Sequence, residues 1–313
     1  MLNRSMRSYG VIGTGALGGY YGGLLAKSGL DVHFLARSDA NAIRAHGLRV
    51  DSVDGDFVVA PAQAYANVDM MPKCDVVIVA LKSTQNHLLG ALVTPLMKAD
   101  SIVLVLQNGL HVEAASEAIV GQGRVMGGCC FLCSNKIGPG HIRHLDYGHV
   151  AMGAYLGEDG NSRPVATDAQ LAIQGDFLDA GIRIELVDDL QYSRWKKLMW
   201  NIPFNGLSVI MNAPTNAVMN SPPARQLAID LMRETQASAK ACGIQIEDKE
   251  IDQMVAYTDE MVPYDSSMRL DYLAGRSMEI DAIVGRPLLE AIRCGHVPKK
   301  IQMLYQQLCF LQK

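Results

Sequence analysis

Residues 7–35 read Arg7-Ser-Tyr-Gly-Val-Ile12-Gly13-Thr-Gly15-Ala-Leu-Gly18-Gly-Tyr-Tyr-Gly-Gly-Leu-Leu-Ala-Lys-Ser28-Gly29-Leu-Asp-Val32-His-Phe-Leu35. The first six residues end in an apolar run suited to a buried strand. A helical pattern follows the glycine turn and runs to Ser28, and Gly29 stands where a helix C-terminal glycine belongs. Val32 to Leu35 reads as a second strand. Strand, glycine turn, helix and strand in that order are the context in which G-x-G-x-x-G binds a dinucleotide. The first glycine permits a tight turn, the second lets the backbone approach a pyrophosphate, and the third allows close helix–strand packing. The helix start offers unpaired N–H groups and a partial positive charge to the phosphates. Gly13, Thr14, Gly15, Ala16, Leu17 and Gly18 are therefore the expected cofactor contacts.

The end of the second strand selects the cofactor. An NAD site carries an acidic residue there for the ribose 2′-hydroxyl. In His33-Phe34-Leu35-Ala36-Arg37 no carboxylate closes the strand; Arg37 does, and Asp31 stands at the wrong end. A guanidinium at that edge can pair with a 2′-phosphate, so NADP(H) is expected.

The pattern continues outward. Val76 to Ala80 and Ile102 to Leu106 read as buried strands, each followed by a helical segment, Thr84 to Met97 and His111 to Val120. This alternation predicts an α/β fold with a doubly wound, mostly parallel Rossmann-like sheet. Residues 127–156 read as short β pieces in hairpins around Gly138-Pro139-Gly140 and Gly148. A helix over 164–179 and a strand over 182–187 follow. Beyond Asp188-Asp189 only helices are expected, over 194–210, 223–241, 248–258, 278–293 and 299–311. The expected domains are an NADP-binding unit, 1–188, and a helical substrate and catalytic unit, 189–313.

The 313 residues are 49% apolar and 19% charged, enough for a sizeable core. A net charge of −4 argues against a nucleic-acid partner or an anionic membrane surface. No apolar run reaches the ~18 residues of a membrane span. Arg4 and Arg7 before the apolar stretch 9–26 superficially resemble a signal peptide, but seven glycines interrupt that stretch and no A-x-A site closes it. Seven cysteines without secretory spacing fit a reduced, cytoplasmic protein. Cys129, Cys130 and Cys133 lie near His141, His144 and His149, but no second ligand pair completes a zinc pattern, so no metal is expected.

Two further constellations carry chemistry. In Trp195-Lys-Lys-Leu-Met-Trp-Asn-Ile-Pro-Phe-Asn-Gly-Leu-Ser208, the polar residues Lys197, Asn201 and Asn205 are spaced i, i+4, i+8, with Ser208 after them. They share one face of an otherwise apolar helix. Such a stripe lines a cleft or forms a hydrogen-bond seam with other helices. Pro203 should free the Met199 carbonyl and kink the helix. Downstream, Ser266-Ser267-Met268 leads into a helix, and Ser277 reads as an N-cap that puts Glu279 in the first turn of the next one.

This ordered set resembles the ketopantoate reductase, or 2-dehydropantoate 2-reductase, family over nearly the whole chain. The residues that carry the resemblance are Gly13-Thr-Gly-Ala-Leu-Gly18, Leu81-Lys82, Gln107-Asn108-Gly109, Trp195 to Asn201 with Asn205, Ser266-Ser267-Met268 and Glu279-Ile-Asp281. It implies an NADPH-dependent reductase of a small 2-oxo acid, 2-dehydropantoate giving (R)-pantoate in pantothenate and coenzyme A biosynthesis. It implies Lys197 as proton donor and Glu279 as a catalytic carboxylate near the nicotinamide. Asn108, Asn201, Asn205 and Ser267 fall on substrate-binding positions. Lys82, Asn108 and Glu279 fall on the cofactor's ribose and nicotinamide side, and Arg37 falls on the 2′-phosphate position. Leu270 replaces a glutamine common in the family, and Thr215 falls near a family asparagine; both bear on the exact substrate. The alternatives are the same chemistry on another small 2-oxo acid, and an NADP-binding regulator without turnover. The expected partner is a small molecule, and a homodimer is the candidate assembly.

Overall fold

The computed structural model describes residues 7–262 and 265–312. The chain divides into two compact units. The first comprises the chain through Gln107 and from Val112 to Leu190; the second takes the chain from Gln191 onward together with the segment Asn108–His111.

The first unit is built on one ten-stranded sheet. Its strands are β1 (Ser8–Ile12), β2 (Asp31–Leu35), β3 (Leu48–Ser52), β4 (Phe57–Val59), β5 (Gln63–Tyr65), β6 (Cys74–Val79), β7 (Met97–Val105), β8 (Val125–Gly138), β9 (His141–Ala154) and β10 (Ile184–Leu186). They lie in the order β4-β3-β9-β8-β7-β6-β1-β2-β5, with β10 paired to β9. β1 is flanked by β2 and β6, both parallel, with Tyr9 opposite Val32 and Val76. Its five residues are all buried, and the two hydroxyls it carries are bonded inside, Ser8 to Asp75 and Tyr9 to Asp176. The helices are α1 (Ala16–Lys27), α2 (Ala40–His46), α3 (Leu89–Val93), α4 (Ala114–Val120) and α5 (Thr167–Asp179). Tyr21 and Leu25 of α1 pack with Val11, Phe34 and Ile78 in a core that excludes water.

The structure departs from the sequence pattern in four places here. The expected helix over 84–97 is a 3₁₀ stretch (Ser83–Leu88), the single turn α3 and a second 3₁₀ turn (Thr94–Leu96), after which β7 has already begun at Met97. Pro95 has no N–H for a helical bond, so a continuous helix cannot pass it. The helix expected from His111 starts only at Ala114. The expected short hairpins over 127–156 are one long hairpin of two 14-residue antiparallel strands, β8 and β9. Gly138-Pro139-Gly140 is the turn of this hairpin, but Gly148 lies inside β9, with φ +124°, and a Cβ on it would lie 3.1 Å from the Tyr20 hydroxyl. Strands β3 to β5 carry only three to five residues each and have no signal above the loop pattern.

The second unit is helical: α6 (Leu190–Ile210), α7 (Thr215–Asn220), α8 (Pro222–Ala241), α9 (Asp248–Glu260), α10 (Ser267–Leu273), α11 (Arg286–Arg293) and α12 (Lys299–Leu311). α6 runs through Pro203 as one helix and buries Trp195, Leu198, Met199, Ile202, Phe204 and Leu207 in a core shared with Leu231, Met232, Leu304 and Leu308. Each such side chain contributes about 1.5–3 kcal/mol on burial. Among the described residues no helix is long and apolar enough to cross a membrane.

Candidate active site

The three glycines of the turn do different work in the α/β unit. Gly13 has φ +96°, and a Cβ on it would fall 2.5 Å from the Leu81 amide nitrogen. A Cβ on Gly18 would lie 2.2 Å from the Gly13 carbonyl and 3.1 Å from Val11, so α1 can lie this close to β1 only without a side chain there. A Cβ on Gly15 would meet nothing within 4 Å. That glycine borders open space at the start of α1, where no side chain caps the helix and no acidic residue occupies the first turn. A bare helix N-terminus beside open space suits a pyrophosphate. Thr14 is buried and its hydroxyl donates to the Leu35 carbonyl at 3.1 Å, tying the loop to the end of β2.

At that strand end Arg37 is exposed and has φ +38°, a left-handed conformation uncommon for a side-chain-bearing residue. Two residues on stands a carboxylate, Asp39, which sequence reasoning passed over. It is turned inward: Lys136 Nζ lies 2.6 Å from its Oδ2, and the Gly140 N–H donates to the same oxygen at 3.0 Å. Burial alone would raise its pKa, but the Lys136 ammonium and the Gly140 N–H outweigh this and hold the carboxyl below the usual carboxylate range. Arg37 is thus the cationic group this edge presents to solvent, beside the exposed Ser38, while the nearest downstream carboxylate is neutralised within the fold.

Lys82 is half-buried and stands just before the 3₁₀ turn that follows β6. Gln107, buried at the end of β7, fixes that region: its Nε2 donates to the Leu81 carbonyl at 2.8 Å and to Asn86 Oδ1 at 2.7 Å.

In the helical unit the polar stripe of α6 is drawn into the interior. Asn201 is 5% exposed, Asn205 3% and Ser208 0%. The Ser208 hydroxyl lies 2.7 Å from that of Ser266, so the lower end of the stripe is a seam between helices. Its upper end is different. Lys197 is half-buried and its Nζ donates to Asn108 Oδ1 at 2.6 Å, bringing together two residues 89 apart in sequence. The adjacent Lys196 points elsewhere and pairs with Glu250 Oε2 at 2.7 Å. The helical period separates the two lysines by about 100°, so only one belongs to the stripe.

Asn108 is held by a backbone stitch that sequence reasoning did not anticipate. The Leu110 N–H donates to the Ala282 carbonyl at 3.0 Å. Gly109 between them has φ +119°, and a Cβ on it would lie 2.5 Å from that same carbonyl oxygen. The carbonyl is available because residues Asp281–Gly285 are wound as a π turn, in which the Arg286 N–H reaches back to Asp281. Pro287 follows and has no N–H to restore the ordinary ladder. The expected single helix over 278–293 is therefore corrected. It begins at Ile280, and its first full turn is π-wound. Ser277 is not its N-cap: Glu279 stands just before the first helical residue, and its carbonyl accepts from the Ile283 N–H at 3.1 Å. Glu279 is 8% exposed, three residues before the stitched Ala282.

Gly109→Ala should be damaging for a local reason. A left-handed backbone in a non-glycine residue costs roughly 1–3 kcal/mol, and here the methyl also meets a backbone atom that cannot swing aside. The expected result is a lower thermal midpoint together with loss of activity, measured by calorimetry and steady-state kinetics; a protein of wild-type stability and rate would contradict the stitch.

Ser266 caps α10, its hydroxyl accepting from the Arg269 N–H at 3.1 Å. Ser267 is the first residue of α10 and is exposed. Asp271 is buried and paired with Arg276 at 2.9 Å. Thr215 is buried at the start of α7. Cys129, Cys130 and Cys133 are buried in β8, and no disulfide joins any of the seven cysteines.

Comparison with known proteins gives a consistent picture. Residues 9–157 match the family model "Ketopantoate reductase PanE/ApbA", and residues 189–312 match its C-terminal counterpart. A 2-dehydropantoate 2-reductase of Nostoc sp. is 52% identical over 305 residues, covering 97% of this chain and 95% of its own. One from Mesorhizobium japonicum is 30% identical, with 88% of each chain covered. The crystal structure of 2-dehydropantoate 2-reductase from Geobacter metallireducens superposes with a TM-score of 0.92 at 38% identity, covering 97% of this chain and 99% of that one. A D-mandelate dehydrogenase solved with NADH and anilino(oxo)acetate shares the fold, with a TM-score of 0.86 at 21% identity over 97% of this chain and 98% of its own.

Proposed function

Because the chain belongs to the ketopantoate reductase family, we propose that it is an oxidoreductase that reduces 2-dehydropantoate to pantoate with NADPH as the hydride donor. The observation that carries the mechanism is the 2.6 Å bond between Lys197 Nζ and Asn108 Oδ1, at the head of a helix face that continues with Asn201 and Asn205. When bound, the reduced nicotinamide supplies a hydride to the carbonyl carbon. The carbonyl oxygen then gains negative charge and must take a proton. Lys197, as ammonium, donates a hydrogen bond to that oxygen and delivers the proton to it. Asn108 holds the ammonium in position by accepting one of its N–H groups, and the Gly109–Ala282 stitch holds Asn108. Asn201 and Asn205, one and two turns along α6, orient the substrate's hydroxyl and carbonyl, and Ser267 receives its carboxylate. Glu279 supports the lysine's charge. In the α/β unit the Gly13–Gly18 turn holds the pyrophosphate, Lys82 supports the ribose side, and Arg37 meets the 2′-phosphate.

The test is loss of NADPH absorbance with a panel of small 2-oxo acids. 2-Dehydropantoate should give the highest kcat/KM. A faster aliphatic or aromatic 2-oxo acid would move the substrate assignment, and tight NADPH binding with turnover of none would indicate a regulator. Ser267→Ala should raise KM for the oxo acid and leave NADPH affinity unchanged, because a carboxylate contact is made in ground and transition states alike. A variant that loses NADPH affinity instead would remove Ser267 from the substrate side.

A further inference from the structure

Helices α8 and α11 of the helical unit end in the same way. Each closes on a cysteine at the C-cap, Cys242 and Cys294, followed by a glycine with φ +84°, Gly243 and Gly295. In each case the next N–H, of Ile244 or His296, reaches back to a carbonyl five residues earlier, Ala239 or Ala291, at 2.9 Å. This closure turns the chain sharply and leaves the cysteine side chain at the helix end. The two ends meet: Cys242 Sγ lies 3.6 Å from the Glu290 carbonyl, and Cys294 Sγ lies 4.0 Å from Glu290 Oε1. Glu290 and Cys294 are i and i+4 on α11 and so share a face. The two sulfurs and a Glu290 carboxylate oxygen all lie within 4.8 Å of one another, and all three residues are half-buried, open to an ion arriving from solvent.

We infer that Cys242, Cys294 and Glu290 form a binding site for one borderline-soft divalent cation of the zinc type. The donor set is two sulfurs and one oxygen, which favours zinc over the hard cations calcium and magnesium. Two helix C-termini converge there, and their partial negative charge attracts a cation. His111 Nε2 lies 4.0 Å from Glu290 Oε1 but outside the converging trio, so water fills the fourth position. The present partner of the carboxylate, Arg293, is two-thirds exposed, and giving up one of its contacts to a metal costs little. On binding, each thiol yields its proton to solvent and no redox change occurs. The site would clip the end of α8 to α11 and act on the stability of the helical unit.

The test uses the full-length protein, reduced and stripped of metal by a chelator. Competition with a chromogenic chelator should give one zinc per chain with a Kd below about 1 μM, that is, binding tighter than about −8 kcal/mol. Co²⁺ should give a thiolate charge-transfer band and the visible bands of a tetrahedral site. Zinc should protect Cys242 and Cys294 of the wild-type protein from maleimide, while the exposed Cys309 labels at an unchanged rate. Cys242→Ser/Cys294→Ser should abolish binding, and Glu290→Gln should weaken it by about tenfold or more. Unchanged labelling of the two cysteines with zinc present overturns the proposal without recourse to any variant. So does stoichiometric zinc that survives in the double-serine protein, or a Cys242–Cys294 disulfide in a protein that binds no zinc when reduced.

Discussion

Lys197→Ala should lower kcat for the oxo acid by about 10²–10⁴-fold, the range that general acid catalysis supplies, while the variant still binds NADPH. The lysine acts on charge that exists only as the hydride arrives, so its loss falls on kcat more than on KM. The neighbouring lysine is the internal control. Lys196 pairs with Glu250 on a partly exposed face, an interaction of at most about 1 kcal/mol, so Lys196→Ala should retain the wild-type rate. Asn108→Ala should fall between the two, since it removes the acceptor that aims the ammonium. Steady-state kinetics on the three variants, with NADPH binding followed by fluorescence, checks all of this. A Lys197→Ala rate within a factor of about three of wild type would take the lysine out of the acid role.

The second large effect concerns the cofactor. The wild-type protein should prefer NADPH over NADH by roughly ten- to a hundredfold in kcat/KM, because a charge-assisted hydrogen bond is worth about 1.5–3 kcal/mol. Arg37 is exposed at the end of β2, while Asp39, which could otherwise favour a ribose hydroxyl, is bound to Lys136 and the Gly140 N–H. Arg37→Ala should therefore erase the preference by weakening NADPH, with NADH kinetics nearly unchanged. Equal use of both cofactors by the wild type, or an undiminished preference in the variant, would transfer the role to another residue.

The parts that were legible in the sequence are those with a strict local period or a steric necessity. The glycine turn is one: Gly13, Gly15 and Gly18 occupy the tight turn, the open edge and the close packing contact that their spacing specifies. The i, i+4, i+8 stripe of α6 is another, because 3.6 residues per turn fix which side chains share a face. What escaped depends on long-range contacts or on a single missing atom. Gly148 inside β9 resembles a turn former until Tyr20 of α1 is seen packed against it. Gly109 gives no hint that its partner is the Ala282 carbonyl, 173 residues away in a π turn. Asp39 sits two residues from Arg37, and only the fold reveals that Lys136 has claimed it. Cys242 and Cys294 are 52 residues apart and match no ligand spacing; the shared way their helices end brings them together.

The four residues Asn108–His111 cluster with the helical unit although they follow closely on strand β7 and the chain returns to the α/β unit at Val112. This bears on modularity. A fragment beginning at Gln191 would hold nearly all of the helical sequence, yet it would lack the acceptor for Lys197 and the segment that covers the Ala282 carbonyl. Exchanging halves between relatives at the 190/191 junction would likewise pair one parent's Asn108 loop with the other parent's π turn. A chimera that carries residues 108–111 along with the helices keeps both partners from one parent, and it is the grafted unit to expect as both folded and active.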